Sequence, residues 1–199
     1  MTHSYNNHMA TSAHPRLENL LASLSLNLAE EGQSALEAAS GLTGSATVAL
    51  LALEEILGGG HVGRIAAVLG LTHSGAVRLV TQLEREGLAE RRTGADRRRV
   101  EVRLTPAGRR RAREAREARD SVVQQATGGL TAEQASSLEE LLATLVEARV
   151  TSRIERRRAG GSGAFWCRTC DFTACGRPEG RCPAQVTADR AFGAGEPAE

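Results

Sequence analysis

Apolar residues recur at three- and four-residue steps from Leu17 through Leu20, Leu21, Leu24 and Leu28, and Leu36 resumes the stripe. This predicts one long amphipathic helix over residues 16–40. A second apolar run follows Ser45, its expected N-cap, and stops at Gly58 to Gly60. Residues 62–69 and 72–86 read as two shorter helices. Gly70 closes the first, Thr72 caps the start of the second, and Gly87 closes that one. Val77, Val80, Leu83 and Leu88 are the expected core positions, and helix, tight turn and helix have the spacing of a helix-turn-helix.

The period then drops to two at Val100, Val102 and Leu104. With residues 88–92 this predicts a hairpin around the tip TGADRRR. Thr105 and Pro106 open a charged helix running to about Ala126, which the glycines at 128 and 129 break. TAEQ, from Thr131 to Gln134, is a capping box for a last long helix with Leu138, Leu141, Leu142, Leu145 and Val146 on one face. The expected fold is mainly α with a small β wing. A winged helix-turn-helix (42–105) is carried by a helical dimerisation body (16–40 and 106–156).

Segments outside this pattern have other compositions. Residues 1–15 are polar, with His3, His8 and His14, and read as a flexible tail and not as a metal tract. Residues 157–164 are a basic, then glycine-rich linker, residues 165–183 a four-cysteine motif, and residues 184–199 an Ala- and Gly-rich stretch expected to be disordered. No apolar run reaches the ~18 residues of a membrane span and the first residues lack the apolar core of a secretion signal. A soluble, cytoplasmic protein with no membrane partner is expected. Its thiols would then be reduced and not paired in a disulfide framework.

The net charge of +1 hides a sorted distribution. Residues 16–60 carry one Arg and six Glu, residues 91–113 carry ten Arg against Asp96 and Glu101, and the chain has no Lys. A run of arginines is most often a solvated turn. Here it sits at the tip of a hairpin behind a helix-turn-helix, where a winged helix needs cations. His73, Ser74, Arg78 and Gln82 on the second helix are candidates to reach base edges or phosphates in the major groove, with the small Gly75 and Ala76 allowing close approach. Arg97, Arg98 and Arg99 on the wing would follow the backbone or enter the minor groove. His61, ahead of the motif, reads as a satisfied structural residue without a sensing role.

LTHSGAVRLVTQLEREGLAERR and DRRRVEVRLTPAGRR resemble the recognition helix and the wing of the MarR family of transcriptional regulators, and the likeness extends from Leu17 to Arg156. The resemblance implies a two-fold dimer reading a palindromic site on double-stranded DNA, and a cleft between body and winged helix that takes a small-molecule effector. It places the family's wing motif on Asp96, which would support the wing, and Arg98, which would reach the minor groove. Apart from the resemblance, the leucine stripes of 17–36 and 138–146 have too few partners in one chain, which argues for a homodimer.

All four cysteines, Cys167, Cys170, Cys175 and Cys182, lie in one C-x2-C-x4-C-x6-C stretch beyond the part that resembles the family. Four thiols in sixteen residues suit a metal, with Arg168, Arg177 and Arg181 close by and Phe165, Trp166 and Phe172 as an apolar shell. Zinc is the default for four cysteines containing a C-x2-C pair. The unequal gaps and the Cys182-Pro183 end resemble the cysteine segment of the iron-sulfur regulators of the MerR family, which tilts the expectation to an iron-sulfur cluster. Metal-free disulfide chemistry is a third reading. The site would be either a sensor of redox state or iron, acting on a DNA-binding regulator, expected to be a repressor, or a structural zinc clip on a small-molecule-responsive one. No nucleophile triad, P-loop or dinucleotide fingerprint is present, so no enzyme is expected.

Overall fold

A computed structural model describes residues 13–93 and 100–193. The first helix, α1, runs Pro15–Ser40, with proline in its first turn and Gly41 in the left-handed conformation at its end. Next comes α2, Ser45–Ala52. Its N-cap is Gly44 and no side chain caps it. Ser45 is therefore the first helical residue and not the cap; the leading amide hydrogens get no help from its hydroxyl.

The apolar run continues from α2 into a π-helical turn, Leu53–Leu57, before Gly58 stops it. The wider turn keeps Leu53 and Leu57 buried. It also sets Glu54 and Glu55 toward Arg113 and Arg116 of a later helix. Widened turns of this kind inside helices are often associated with functional positions.

The two short helices have the expected form: α3, Val62–Leu69, and α4, His73–Arg85, with Thr72 accepting the Gly75 amide. Helix α3 starts at His61, whose Nδ1 accepts the Arg64 amide at 3.1 Å, a structural role as its position suggested. Strands β1, Ala89–Thr93, and β2, Val100–Leu104, pair antiparallel, with Ala89 opposite Leu104 and Thr93 opposite Val100. The Gly60 carbonyl adds a third edge by accepting the Val102 amide at 3.0 Å. Leu42, Leu50, Ile65, Val80, Leu83 and Val102 close the core of this unit and are at most 1% exposed.

Two long helices follow, α5 (Pro106–Thr127) and α6 (Ala132–Arg158). Thr105 caps the first and the complete Thr131–Gln134 capping box opens the second. Gly108 in the first turn of α5 lies so close to the β1 side that a Cβ there would collide with the Leu88 carbonyl. Helix α1 lies along α5 and seals Leu36, Leu51 and Ala115 into a second small core. Among the described residues no single helix is long and apolar enough to cross a membrane.

The C-terminal segment is more ordered than its composition suggests. Residues Pro183–Phe192 form a helix, α7, where a disordered tail was expected. Pro183 fits the first turn, and Ala184 and Thr187 are buried against α6 and the cysteine segment. One sequence expectation for an individual side chain also fails: Val77 is 36% exposed, on the outer side of a helix whose inner side is filled by Ala76, Leu79, Val80 and Leu83. Val100 shares the face of Val102 and Leu104 but stands at the wing end of β2, beyond the core, and is 50% exposed.

Candidate DNA interface and cysteine module

Helix α4 has two unlike faces. Ala76, Leu79, Val80 and Leu83 turn into the core. On the opposite side Val77, Arg78, Thr81, Gln82 and Arg85 line one open surface. His73 and Ser74 are exposed in its first turn. The predicted readers His73, Ser74, Arg78 and Gln82 thus all belong to the solvent side of one helix, with Gln82 donating to Glu86 at 3.1 Å. Ala76 does not: it is fully buried, so it packs the helix inward and gives no closer approach from outside. Asp96, Arg97, Arg98 and Arg99 lie outside the described residues. The base of the wing is held by Arg91–Glu84 at 2.5 Å and Arg103–Glu101 at 2.7 Å.

The body presents a different surface. Leu17, Leu20, Leu21 and Leu24 of α1 are 45–60% exposed, and Leu138, Leu141, Leu142 and Leu145 of α6 are 37–63% exposed. Solitary exposed leucines are ordinary in folded proteins, but two stripes at helical spacing are not.

Beyond α6 the cysteine segment folds as a series of tight turns. The amide of Cys170 donates to the Cys167 carbonyl at 3.0 Å, that of Cys175 to Asp171 at 3.1 Å, and that of Arg181 to Gly176 at 2.8 Å. Gly176, with φ +70°, takes a conformation that suits glycine. Cys182 is the residue before α7. The turns bring all four thiols into one small core with Val150 and Ile154 of α6, where Cys167 and Cys182 are 4% exposed. Phe165 and Phe172 pack on this core as expected. Trp166 is 38% exposed and only borders it.

The thiols lie close enough to act on one another, Cys167 on Cys170 and Cys175 on Cys182, and the Cys175 thiol donates to the Phe172 carbonyl at 3.5 Å. The neighbouring Cys167 thiol draws Cys170 down to about 7, with the Arg119 and Arg177 guanidinium groups adding to it. The Cys170 thiol, with burial, pushes Cys167 up. Burial pushes Cys175 up to about 11. Among the described residues no group of three or more His, Cys, Asp or Glu side chains is placed so that it could hold a metal ion.

Several arginines surround the thiols. Of the three expected from sequence, Arg177 lies over the Phe172 ring at 4.3 Å, Arg168 donates to the Phe165 carbonyl at 3.0 Å, and Arg181 points outward, its side chain 73% exposed. Two others come from distant helices. Arg119 of α5 donates to the Thr169 carbonyl, and Arg153 of α6 lines a narrow crevice with Cys167, Arg177 and Trp166. The Nη2 of Arg153 is buried without a hydrogen-bond acceptor. Burial, with Arg157, Arg168 and Arg156 nearby, lowers the pKa of Arg153.

The module is also bonded to the winged helix. The Phe165 amide donates to the Val68 carbonyl of α3 at 2.7 Å. The chain passes Gly70 so tightly that a Cβ there would stand 2.8 Å from the Ala164 nitrogen. Glu55 accepts the Phe172 amide at 2.8 Å through Oε1 and pairs with Arg116 of α5 at 2.8 Å through Oε2. Arg116 also reaches Asp171 at 3.5 Å. Burial works against the Arg116 charge, but the Glu55 and Asp171 carboxylates outweigh it and raise its pKa. Asp171 is lowered, first by the Ala174 amide and then by Arg116. Sequence reading missed Glu55, Arg116, Arg119 and Arg153. Two glutamates inside an apolar run were the available signal for the first.

A model of the MarR family matches residues 40–99, the helix-turn-helix and most of the wing. Similar folds run through much of the chain among solved structures. The YusO protein of Bacillus subtilis is 23% identical, with 69% of this chain and 99% of that one covered at a TM-score of 0.60. The chain has the MarR-type winged-helix fold. A MarR family protein of Bacillus stearothermophilus is 29% identical, with 65% and 89% covered at a TM-score of 0.57. The Mycobacterium tuberculosis MarR family protein Rv2887, solved in complex with DNA, is 24% identical, with 65% and 96% covered at 0.51. No match was found among curated protein sequences.

Proposed function

We propose that this MarR-type chain is a homodimeric, sequence-specific DNA-binding transcriptional repressor whose four-cysteine module is its input. The observation that carries the DNA-binding reading is the polar outer face of α4, with His73, Ser74, Arg78 and Gln82 exposed on a helix whose other side is sealed into the core. A helix supported in this way can enter the major groove without disturbing its own packing. The wing arginines Arg97, Arg98 and Arg99 add sequence-independent phosphate or minor-groove attraction, with Asp96 supporting the wing. Rv2887, a protein of similar fold, was solved in complex with DNA, which supports the DNA-binding reading.

The two exposed leucine stripes support the dimer. A second copy covering them would set two α4 helices on one face, and a two-fold protein calls for an inverted repeat in the DNA. The test is selection from a random-sequence duplex pool by the full chain, followed by sedimentation of protein and complex. An enriched inverted repeat bound by a dimer is the expected result. Arg98→Ala should weaken binding on every selected sequence and flatten its salt dependence, while Arg78→Ala should relax preference at particular bases. No enrichment over many rounds would refute the reading.

Cysteine chemistry acts as input because the module touches the unit that reads DNA. Its backbone is bonded to α3 at Val68 and to Glu55, both within the winged helix. A change in its metal or redox state alters contacts that the two placements of the winged helix do not share, which is the requirement for coupling two sites.

A further inference from the structure

We propose that the crevice between the end of α6, the cysteine turns and α7 binds a small organic carboxylate with a compact apolar body, held by Arg153 and Arg177. Every lining residue stands at Val150 or later in the chain. The crevice therefore lies apart from the cleft between body and winged helix that the family resemblance implies.

Size and lining call for the apolar body. The interior measures about 60 Å³, several times the ~10–15 Å³ that a single water requires. Val150, Ile154, Phe165, Trp166, Ala184 and Phe192 form its apolar wall. Three of these are aromatic and offer flat faces on which a planar ligand stacks. Val150, Ile154 and Ala184 are at most 8% exposed and belong to the packed core of the module, so the wall is preformed. A bare inorganic anion would leave this surface against water, whereas a carboxylate carrying a ring covers it.

Charge calls for the carboxylate. Arg153 lines the crevice and its Nη2 is buried with no acceptor, a group that costs free energy until it is paired. Arg177 lines the same crevice, and its guanidinium rests on the Phe172 ring. Arg157 and Arg168 are tied to the Gly163 and Phe165 carbonyls at 3.0 Å, and they add positive charge around Arg153 without being needed as ligands. No Asp or Glu lines the crevice. Asp189, the one acid of α7, accepts the Gln185 amide instead.

Burial and the surrounding arginines both work against the Arg153 charge. One bound carboxylate relieves both, through hydrogen bonds to the planar guanidinium and through its own charge. A cation would add to the repulsion, and a neutral apolar molecule would leave Nη2 unpaired. The ligand would rest against Trp166, which is 38% exposed and is the single tryptophan of the chain, so its arrival has a built-in reporter.

The experiment uses the full chain under reducing conditions, with benzoate as the probe and benzamide as its neutral counterpart of nearly the same shape. Titration followed by Trp166 fluorescence and by calorimetry should show saturable benzoate binding, with benzamide at least ~10-fold weaker. Arg153→Met keeps the apolar stem and removes the guanidinium; it should weaken benzoate ~10- to 100-fold and leave benzamide little changed. Ala188→Leu fills the crevice from α7 and should weaken both. Absence of saturable benzoate binding overturns the site, and binding untouched by Ala188→Leu puts the ligand elsewhere. Equal affinity for benzoate and benzamide overturns the carboxylate. Inorganic phosphate that displaces benzoate at equal concentration overturns the apolar body. Benzoate affinity unchanged in Arg153→Met overturns the role of that residue, and if the variant fails to fold, the benzoate and benzamide pair still decides on the unaltered chain. None of these readouts uses DNA, so they stand or fall separately from the repressor reading.

Discussion

The winged helix and the helical body spend their apolar residues in opposite ways. In the winged helix the leucines and valines of four helical segments and two strands close on one another within a single chain, and Leu50, Ile65, Leu83 and Val102 reach zero exposure. In the body, α1 seals only its last third against α5, and the leucines of its first half and of α6 remain open. The first unit closes its core within one chain, with Ala112 of α5 completing it. The second is complete only when something covers it, so stability of the fold and assembly of the molecule are assigned to different residues.

The largest effect should come from the body. Leu141→Glu combined with Leu145→Glu places two charges on the open stripe of α6 and should convert the proposed dimer to monomer, read by sedimentation, while helical circular dichroism persists. Loss of the helical signal along with the dimer would show that the two regions are not separate. Leu50→Ala is the converse. It should cost about 2–5 kcal/mol in chemical denaturation and the loss should not depend on protein concentration. A concentration-dependent loss would place the winged-helix core under control of assembly.

Smaller effects sharpen the seam between the regions. Arg116→Met leaves Glu55 and Asp171 without their shared cation at a site where the Arg116 and Glu55 side chains are 13% and 18% exposed. About 1–3 kcal/mol should be lost, and Trp166, the single tryptophan of the chain, should report loosening of the module by its fluorescence. An unchanged spectrum and stability would remove this pair from the contacts that hold the module to the winged helix. The least effect belongs to Glu37, whose carboxylate accepts the Gly44 amide at 2.9 Å and the Gln33 amide group at 2.6 Å. The Gly44 bond holds its pKa below the ordinary 4.5. A lowered carboxylate stabilises the fold above its unfolded value, and the contribution is lost as pH falls through the lowered value. Glu37→Gln should therefore lower Tm slightly near neutral pH and make no difference in acid, where both chains carry a neutral group.

Much of the architecture could be read along the chain because its signals are local. A capping box at Thr131, a glycine at 70 and a proline at 106 act within a few residues of themselves, so their consequences do not wait for the rest of the fold. Side-chain direction was less legible. Val77 satisfies the period of α4 yet faces solvent, because the other side of the helix had already met the core, and Val100 shares the face of Val102 and Leu104 yet lies beyond the core at the wing end of β2. The helix at Pro183–Phe192 was hidden for a related reason: its sequence is short and polar, and it is held by burial of Ala184 and Thr187 against α6 and the cysteine turns.

By itself, then, the sequence determined the order of helices and hairpin, the polar edge of α4, the arginine-rich wing and the presence of four clustered thiols, all properties of residue type and spacing. Only the tertiary structure decided which charges meet those thiols and which part of the protein the module touches. Glu55, Arg116, Arg119 and Arg153 lie between 14 and 112 residues before Cys167 in the chain. Ion pairing and desolvation depend on distance in space, and no period or motif along the chain records which arginine of the twenty-five will arrive at a buried sulfur.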